Sequence, residues 1–226
     1  VWDRLKNSVK ENSRFFTNMD EFAQYEYLTA GKSLHIGQKL YRSRVTPIGQ
    51  KKIKWDKMGC PPKELTTAGR ANPIGIPYLY LSDSAKTTYF EVRAVYLDKL
   101  SVGTFRIEKD LKLIDFVYDV NLFLSYNDGS VPLKETIIKK KVIEAISSDL
   151  SKPLRRYDSE IEYVPTQLIC EYCRRIVDSE GATADGITFE SSLHKGGRNY
   201  VLFDESAAKC IRVDSHEITR IDIDRK

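Results

Sequence analysis

The spacing of apolar residues predicts helices at three places in this chain. Residues 2–30 are charged and carry apolar positions at helical spacing, with a break at residues 13–16. Residues 134–148 form an amphipathic pattern, and residues 166–177 form another that begins after Pro165. The positions predicted to face inward are Leu5, Val9, Phe15, Phe16, Phe22 and Tyr25 in the first helix and Ile137, Ile138, Val142 and Ile146 in the second.

Short apolar and aromatic runs bounded by turn residues predict strands over most of the remaining chain. One run, residues 78–81, leads directly into a predicted helix whose first turn would be capped by Ser82 or Asp83. The other predicted strands are residues 37–44, 102–107, 111–117, 186–189, 199–203, 209–214 and 217–223. Helices and strands are interspersed, but the strand-rich last third favours an α+β fold over a doubly wound parallel sheet.

The predicted strand at residues 37–44 has two chemically different faces. Because side chains alternate along a strand, Tyr41 and Ser43 share one face, and Leu40, Arg42 and Arg44 share the other. The two arginines either point into a pocket or lie on a solvated sheet edge. The local sequence is compatible with both alternatives.

Length and charge limit the classes of partner. The chain has 226 residues, which is enough for one domain of ordinary size, or one domain plus a small appendage, with a sizeable core. Its formal net charge is +4. The sequence has no apolar run long enough to span a bilayer, so we expect no membrane partner. The mild positive charge suits an anionic small ligand or an acidic partner. Nucleic-acid-binding proteins carry a larger positive charge clustered on one surface, so we expect no direct nucleic-acid contact.

The cysteines are too few for a disulfide scaffold in a chain of this length. Cys170 and Cys173 form a C-x-x-C pair, which is either half of a zinc site or part of the core. Cys60, Cys210 and three scattered histidines do not supply a second pair of ligands, so we expect core packing and no metal. The sequence carries no signal peptide, which favours a reducing cytoplasm.

Three polar residues in the first half of the chain are candidates for nucleotide chemistry. Arg70 lies on a loop rich in glycine and proline, Tyr80 on the strand that follows, and Glu91 on the next helix. Arginine matches the planar geometry of a diphosphate, and a carboxylate accepts hydrogen bonds from ribose hydroxyls. The alternative is structural: Arg70 and Glu91 would form an ion pair, and Tyr80 would belong to the core. Ser191, after a predicted strand, would then be a turn residue.

Four sequence blocks occur in a fixed order between residues 34 and 203. They are Tyr41-Arg42-Ser43-Arg44; Gly69-Arg70-Ala71-Asn72-Pro73 with Leu79-Tyr80-Leu81-Ser82 and Glu91-Val92-Arg93; Tyr163-Val164-Pro165-Thr166-Gln167; and Asp185-Gly186-Ile187-Thr188-Phe189-Glu190-Ser191 with Asn199. This pattern resembles the RES domain, a family named for an arginine, a glutamate and a serine. The resemblance implies an α+β fold related to ADP-ribosyltransferases, with a mixed or antiparallel sheet and flanking helices.

The same resemblance implies a division of the chain. Residues 34–226 would form the RES-like domain, with an insertion around residues 97–162. Residues 1–33 would be a helical extension, or the end of a missing upstream domain.

The activity implied by the resemblance is NAD degradation. The family cleaves the nicotinamide–ribose bond by hydrolysis or phosphorolysis, so the chain would be an NAD glycohydrolase or NAD phosphorylase. NAD would be the substrate, water or phosphate would be the acceptor, and no metal would take part. The best-known members are bacterial toxins neutralised by a helix-turn-helix antitoxin. The expected role is therefore a toxin or an anti-phage effector with a regulatory partner protein.

The resemblance also assigns the site residues. The family arginine, tyrosine, glutamate and serine correspond to Arg70, Tyr80, Glu91 and Ser191, which would be the catalytic residues, with Ser192 as an alternative to Ser191. The early arginine of the family corresponds to Arg42 or Arg44. Phe189 stands where a tyrosine is common, so a hydroxyl contact is absent there. The residues expected to bind NAD are Arg42, Arg44, Asn72 and Asn199.

Two other functions compete with NAD degradation. An ADP-ribosyltransferase would use the same residues and move the ribosyl group to a protein acceptor, and the sequence does not separate these activities. A non-catalytic module that only binds a nucleotide is the other alternative. The joint presence of four residues argues against a lost activity, because unused positions would be free to change: Arg70, Tyr80, Glu91 and Ser191.

Overall fold

A mixed β-sheet organises the fold. The computed structural model describes residues 1–20, 22, 28, 30–117, 132–152, 160–177 and 181–220. The strands within these residues are β1 (Ala30–Leu34), β2 (Lys39–Val45), β3 (Leu79–Ser82), β4 (Lys99–Ile107), β5 (Leu111–Asp115), β6 (Gly186–Glu190), β7 (Arg198–Leu202) and β8 (Ala208–Glu217). They form one sheet in the order β1-β5-β6-β7-β3-β2-β4-β8. Neighbouring strands are antiparallel except β5 and β6, which are parallel.

Four α-helices accompany the sheet in the described part of the chain. They are α1 (Trp2–Asn7), α2 (Ala85–Glu91), α3 (Leu133–Ser151) and α4 (Val164–Cys173). A π-helical turn, Ser8–Asn12, continues α1. The predicted α+β class is therefore confirmed, whereas the relation to ADP-ribosyltransferases stays a prediction.

The sheet has a weak point between β2 and β3. β2 pairs with β4 along its whole length, and β3 pairs with β7 at all four of its residues. By contrast, β2 and β3 pair at one position, Tyr41 with Ser82. We call this position the sheet joint. Two half-sheets meet there, and the strands are not paired beyond it.

Each face of the sheet carries its own core. Val201 packs with Ile187 and the helices on one face, whereas its neighbours Tyr200 and Leu202 pack on the other face. β2 follows the predicted alternation, because Leu40 lies in the second core while the Ser43 hydroxyl hydrogen-bonds Thr88 of α2. Ser43 therefore lies on the face that α2 covers, and Arg42 and Arg44 start from the opposite face.

The N-terminal helical prediction is confirmed in part. Leu5, Val9 and Phe22 are buried. Phe15 and Phe16 were predicted to face inward, and this is wrong, because their exposed fractions are 91% and 93%. The helical turns end at Asn12 and Ser13 is extended, so the helical spacing no longer sets the direction of these side chains. Tyr25 lies outside the described residues.

The remaining local predictions differ mainly at boundaries. Ser84 caps α2 instead of Ser82 or Asp83, since its side chain accepts the backbone N–H of Thr87. The predicted strand at residues 209–214 lies within β8, which extends to Glu217 because β4 pairs with it from Ile107 to Lys99. The separate strand predicted at residues 217–223 is wrong for residues 218–220, which follow the end of β8 and are not in a strand. Residues 221–223 of that prediction lie outside the described residues.

The region around residues 97–162 contains three elements of this fold. β4 pairs with both β2 and β8, β5 pairs with both β1 and β6, and α3 packs on β6. The division into residues 1–33 and 34–226 stays a prediction.

Cys170 and Cys173 are fully buried with free thiols, which confirms their core packing. None of the described helices is both long and apolar enough to cross a membrane.

Candidate functional site

Glu91 is the last residue of α2, and two backbone hydrogen bonds close the helix just after it. Arg93 has a left-handed backbone conformation with φ of 51°. Its N–H donates to the carbonyl of Phe90, and the N–H of Ala94 donates to the carbonyl of Tyr89. This pair of hydrogen bonds closes the C-terminus of a helix. The chain turns away there and leaves the Glu91 side chain at the end of α2.

Three donors from three different parts of the chain surround the Glu91 carboxylate. Its Oε1 accepts hydrogen bonds from the Ser191 hydroxyl at 2.8 Å and from Nδ2 of Asn199 at 2.7 Å. Its Oε2 accepts one from Nη2 of Arg70 at 2.7 Å. The structure thus brings together four of the residues predicted for the site, although a hundred or more positions separate Glu91 from Ser191 and Asn199.

These contacts determine the charge of Glu91. Its side chain is only 15% exposed, and that burial alone would favour the neutral acid. The charge of Arg70 and the hydrogen bonds from Asn199, Arg70 and Ser191 outweigh burial and hold the pKa of Glu91 below its ordinary value of 4.5. Glu91 is therefore a carboxylate at neutral pH.

Arg70 is held on both sides of its guanidinium. Nη2 pairs with Glu91, while Nη1 donates to the carbonyls of Leu150 at 3.3 Å and Ser151 at 3.1 Å. These carbonyls belong to the last turn of α3, where the helix dipole is negative and favours a cation. Ser192 also donates to the Ser151 carbonyl, at 2.6 Å, so the structure places Ser191 and not Ser192 on Glu91. In this arrangement Arg70 orients Glu91.

Tyr80 supports the loop that carries Arg70. Its hydroxyl donates to Oδ1 of Asn72 at 2.8 Å and accepts the N–H of Ala71 at 3.0 Å. Asn72 in turn donates to the carbonyls of Thr67 and Pro73. Burial raises the pKa of Tyr80, so it stays protonated. Both Tyr80 and Asn72 hold the loop, and the Tyr80 ring also borders the cavity next to Glu91.

A cavity of about 240 Å³ lies beside Glu91, at the sheet joint. Its lining residues are Tyr41, Arg42, Ser43, Arg70, Tyr80, Leu81, Ser82, Thr88, Glu91, Val92, Phe189 and Asn199. The cavity therefore occupies the place where β2 and β3 stop pairing. A carboxylate, two arginines, several hydroxyl groups and one amide meet around it.

The two arginines of β2 have different surroundings. Arg42 lines the cavity and donates to the carbonyl of Tyr80 at 3.3 Å. Burial, together with the nearby charge of Arg44, lowers the pKa of Arg42 to about 10. Arg44 donates to the carbonyl of Gly59 at 2.6 Å, and its Nε is buried with no hydrogen-bond partner among the described residues. The sequence allowed these arginines to point into a pocket or to lie on a solvated sheet edge. Arg42 points into a pocket, because it lines the cavity.

Sequence reasoning did not assign to the site three residues that support it. Ser82 donates to Oδ1 of Asn199 at 2.8 Å and so directs the amide nitrogen of Asn199 toward Glu91. Thr166 and Gln167 donate to backbone carbonyls of the Arg70 loop. All three belong to the sequence blocks quoted above, which was the available signal, but no local pattern indicates what their side chains bind.

Comparison with known proteins adds one match. A family model described as the RES domain matches residues 39–223, which is most of the chain and includes every candidate site residue. No curated protein and no solved structure matched the chain. Among the described residues, no group of three or more histidine, cysteine, aspartate or glutamate side chains could hold a metal ion.

Proposed function

We propose that this chain, which belongs to the RES domain family, degrades NAD by cleaving the bond between nicotinamide and ribose. The RES domain is consistent with a member of a toxin–antitoxin family. The observation that carries the proposal is the ionised Glu91, held by three donors at the edge of a cavity that Arg42 also lines.

The chemistry of the bond suits a carboxylate of this kind. When the bond between C1′ of the ribose and the ring nitrogen breaks, the electron pair stays on nitrogen and nicotinamide leaves neutral. The ribose then carries the positive charge of an oxocarbenium-like transition state. A fixed negative charge beside it stabilises that state, and no general acid is needed for the leaving group. Water or phosphate then forms the new bond to C1′, and when water is the acceptor its proton passes to the solvent.

Each polar residue has a role in this proposal. Glu91 stabilises the developing cation, and Arg70 and Ser191 keep its carboxylate oriented. Arg42 binds the diphosphate, because its hydrogen bond to the neutral Tyr80 carbonyl leaves its charge without a carboxylate partner among the described residues. Asn199 fixes the position of Glu91 and faces the cavity, where it can also bind the ribose.

The biological role follows from the reaction. Loss of NAD stops growth, so an enzyme of this kind acts as a toxin or a defence effector in the cytoplasm. A partner protein that restrains the activity is part of this proposal.

Nicotinamide release by the purified protein tests the proposal. We expect release from NAD, and we expect Glu91→Gln to lower the rate by about 100-fold or more because the fixed negative charge is lost. Glu144→Gln on the exposed side of α3 is the matched control and should leave the rate unchanged. Adding and omitting phosphate identifies the acceptor.

Two outcomes contradict the proposal. A folded protein that leaves NAD intact with and without phosphate is not an NAD hydrolase or phosphorylase. Release that requires an added protein acceptor would instead support ADP-ribosyl transfer.

A further inference from the structure

The first turn of α4 holds the loop Gly69–Asn72 from behind. The Thr166 hydroxyl donates to the carbonyl of Arg70 at 2.6 Å. Nε2 of Gln167 donates to the carbonyls of Gly69 at 2.8 Å and of Asn72 at 3.1 Å. Three of the four loop carbonyls therefore bind two side chains of one helical turn.

Both side chains are buried at this contact, and the Thr166 hydroxyl also lies 3.0 Å from the carbonyl of Tyr163 in its own helical turn. Thr166 is 1% exposed and Gln167 is 9% exposed. A buried amide without a hydrogen bond costs about 1–3 kcal/mol, so Gln167 favours a loop conformation that offers its amide the carbonyls of Gly69 and Asn72. Thr166 favours the same conformation through the shorter of its two hydrogen bonds, the one to Arg70. The apolar anchoring of α4 comes from other residues, since Ile169, Cys170 and Cys173 supply its buried surface. The packing of α4 in the core therefore does not depend on the polar atoms of Thr166 and Gln167.

The loop itself can adopt only a narrow range of conformations. Its N–H at Gly69 donates to the carbonyl of Asn72 at 2.9 Å, so the loop closes on itself. A Cβ atom at Gly69 would overlap Oδ1 of Asn72 and lie 2.9 Å from the Tyr80 hydroxyl, which leaves no room for a side chain there. Tyr80 holds one side of the loop and Gln167 holds its two ends. With the backbone fixed in this way, the Arg70 side chain leaves the loop in one direction, toward Glu91 and the end of α3.

We propose that Thr166 and Gln167 are positioning residues of the NAD-cleaving site, which fix the direction of Arg70 and thereby its ion pair with Glu91. The inference rests on the proposed function of this site. The inference explains the block Tyr163-Val164-Pro165-Thr166-Gln167 as the start of a helix that supports the Arg70 loop. Pro165 lies in the first turn of α4, and the next two side chains contact the loop.

Two variants remove the hydrogen bonds and keep the shape. Thr166→Val lacks the hydroxyl, and Gln167→Met lacks the amide, while Thr166→Ser keeps a hydroxyl and is the matched control. The first readout is the titration of the Glu91 carboxyl, followed by ¹³C NMR. We expect its midpoint to rise in Thr166→Val and Gln167→Met, because a displaced Arg70 stabilises the carboxylate less. Thr166→Ser should titrate like the unmodified protein.

The second readout is the kinetics of nicotinamide release. We expect kcat to fall by about tenfold in Thr166→Val, with KM changed less than twofold, because misplacing a group that acts in the transition state affects the chemical step. Combining Thr166→Val with Arg70→Ala distinguishes an effect that acts through Arg70 from a general loss of folded structure. If Thr166 acts through Arg70, the double variant should have the same Glu91 titration and the same kcat as Arg70→Ala alone.

A purely structural role predicts a different result. Thr166→Val and Gln167→Met would then melt at lower temperature but titrate at Glu91 as the unmodified protein does, and this overturns the inference. The titration needs no turnover, so it also decides the matter if the unmodified protein releases no nicotinamide. Absence of nicotinamide release would refute the proposed function. The NMR titration would still test whether Thr166 and Gln167 position Arg70.

Discussion

Replacing Arg70 by methionine directly tests the charge balance around Glu91. The substitution keeps much of the length of the side chain and removes the cation. It also removes the hydrogen bonds to Glu91, Leu150 and Ser151. Glu91 then stays in a largely buried place with two neutral donors, Ser191 and Asn199.

The expected loss of stability follows from burial. Removing one partner of a fully buried ion pair costs about 3–5 kcal/mol, because the remaining charge is left without compensation. Arg70 and Glu91 retain exposed fractions of 17% and 15%, so some solvent screens the remaining carboxylate. We therefore expect Arg70→Met to lower the free energy of unfolding by about 2–3 kcal/mol at pH 7.

The pH dependence has a defined sign. The pKa of Glu91 is depressed in the folded protein, so its contribution to stability is present above the unfolded value of about 4.5 and is lost as the pH falls through the folded value. In Arg70→Met the pKa of Glu91 rises, because burial keeps its effect while the opposing charge is gone. The stability difference between the two proteins should be largest near pH 7 and should shrink toward pH 3.

Urea unfolding at several pH values between 7 and 3 measures this difference. Arg106→Met is the control, because Arg106 forms a comparable pair with Glu108, at 2.8 Å, on the exposed surface. Screening by water makes such a pair weak, so the control should have little effect on stability. A constant cost for Arg70→Met across the whole pH range would refute the argument, since an ionic contribution must titrate.

Other substitutions probe the same site from different directions. Asn199→Asp places a second carboxylate beside Glu91; it should raise the pKa of the pair and lower nicotinamide release at pH 7 by at least about tenfold, as a pH–rate profile would show. Gly69→Ala forces a Cβ against the side-chain oxygen of Asn72 and the Tyr80 hydroxyl, and it should lower the free energy of unfolding in urea by about 1–3 kcal/mol, whereas Gly59→Ala, whose nearest neighbours would be 3.7 Å away, should be tolerated. Tyr80→Phe removes both hydrogen bonds of the hydroxyl and should lower stability by about 1–2 kcal/mol; an unchanged unfolding midpoint would show that the loop does not depend on it.

Local patterns were sufficient to predict much of the fold. The alternation in β2 placed Leu40 and Ser43 on opposite faces, and the amphipathic helix around residues 134–148 lies inside α3. The prediction failed at Phe15 and Phe16, where helical spacing was extended past the end of the helix. Periodicity describes which side of an element is apolar, but it does not mark where that element stops.

The site required more than local pattern. The residues alone allowed Arg70 and Glu91 to be either a structural ion pair or part of a nucleotide site, and the structure does show the ion pair. Ser191 and Asn199 could be assigned to the same site only through the family resemblance, because no local property of either residue indicates Glu91 as its partner. The role of Gln167 depends on two backbone carbonyls about a hundred residues earlier, and sequence patterns carry no information about carbonyl direction.

The long separation between Glu91 and its partners Ser191 and Asn199 has a consequence during synthesis. Chains are made at about 5–20 residues per second, so a separation of a hundred residues corresponds to about 5–20 seconds on the ribosome. During that interval Glu91 has been translated, but two of its donors have not, and β3 has no β7 to pair with. The nascent chain therefore cannot contain the complete carboxylate environment. A cell that makes this protein therefore meets the assembled site only after Asn199 has been synthesised.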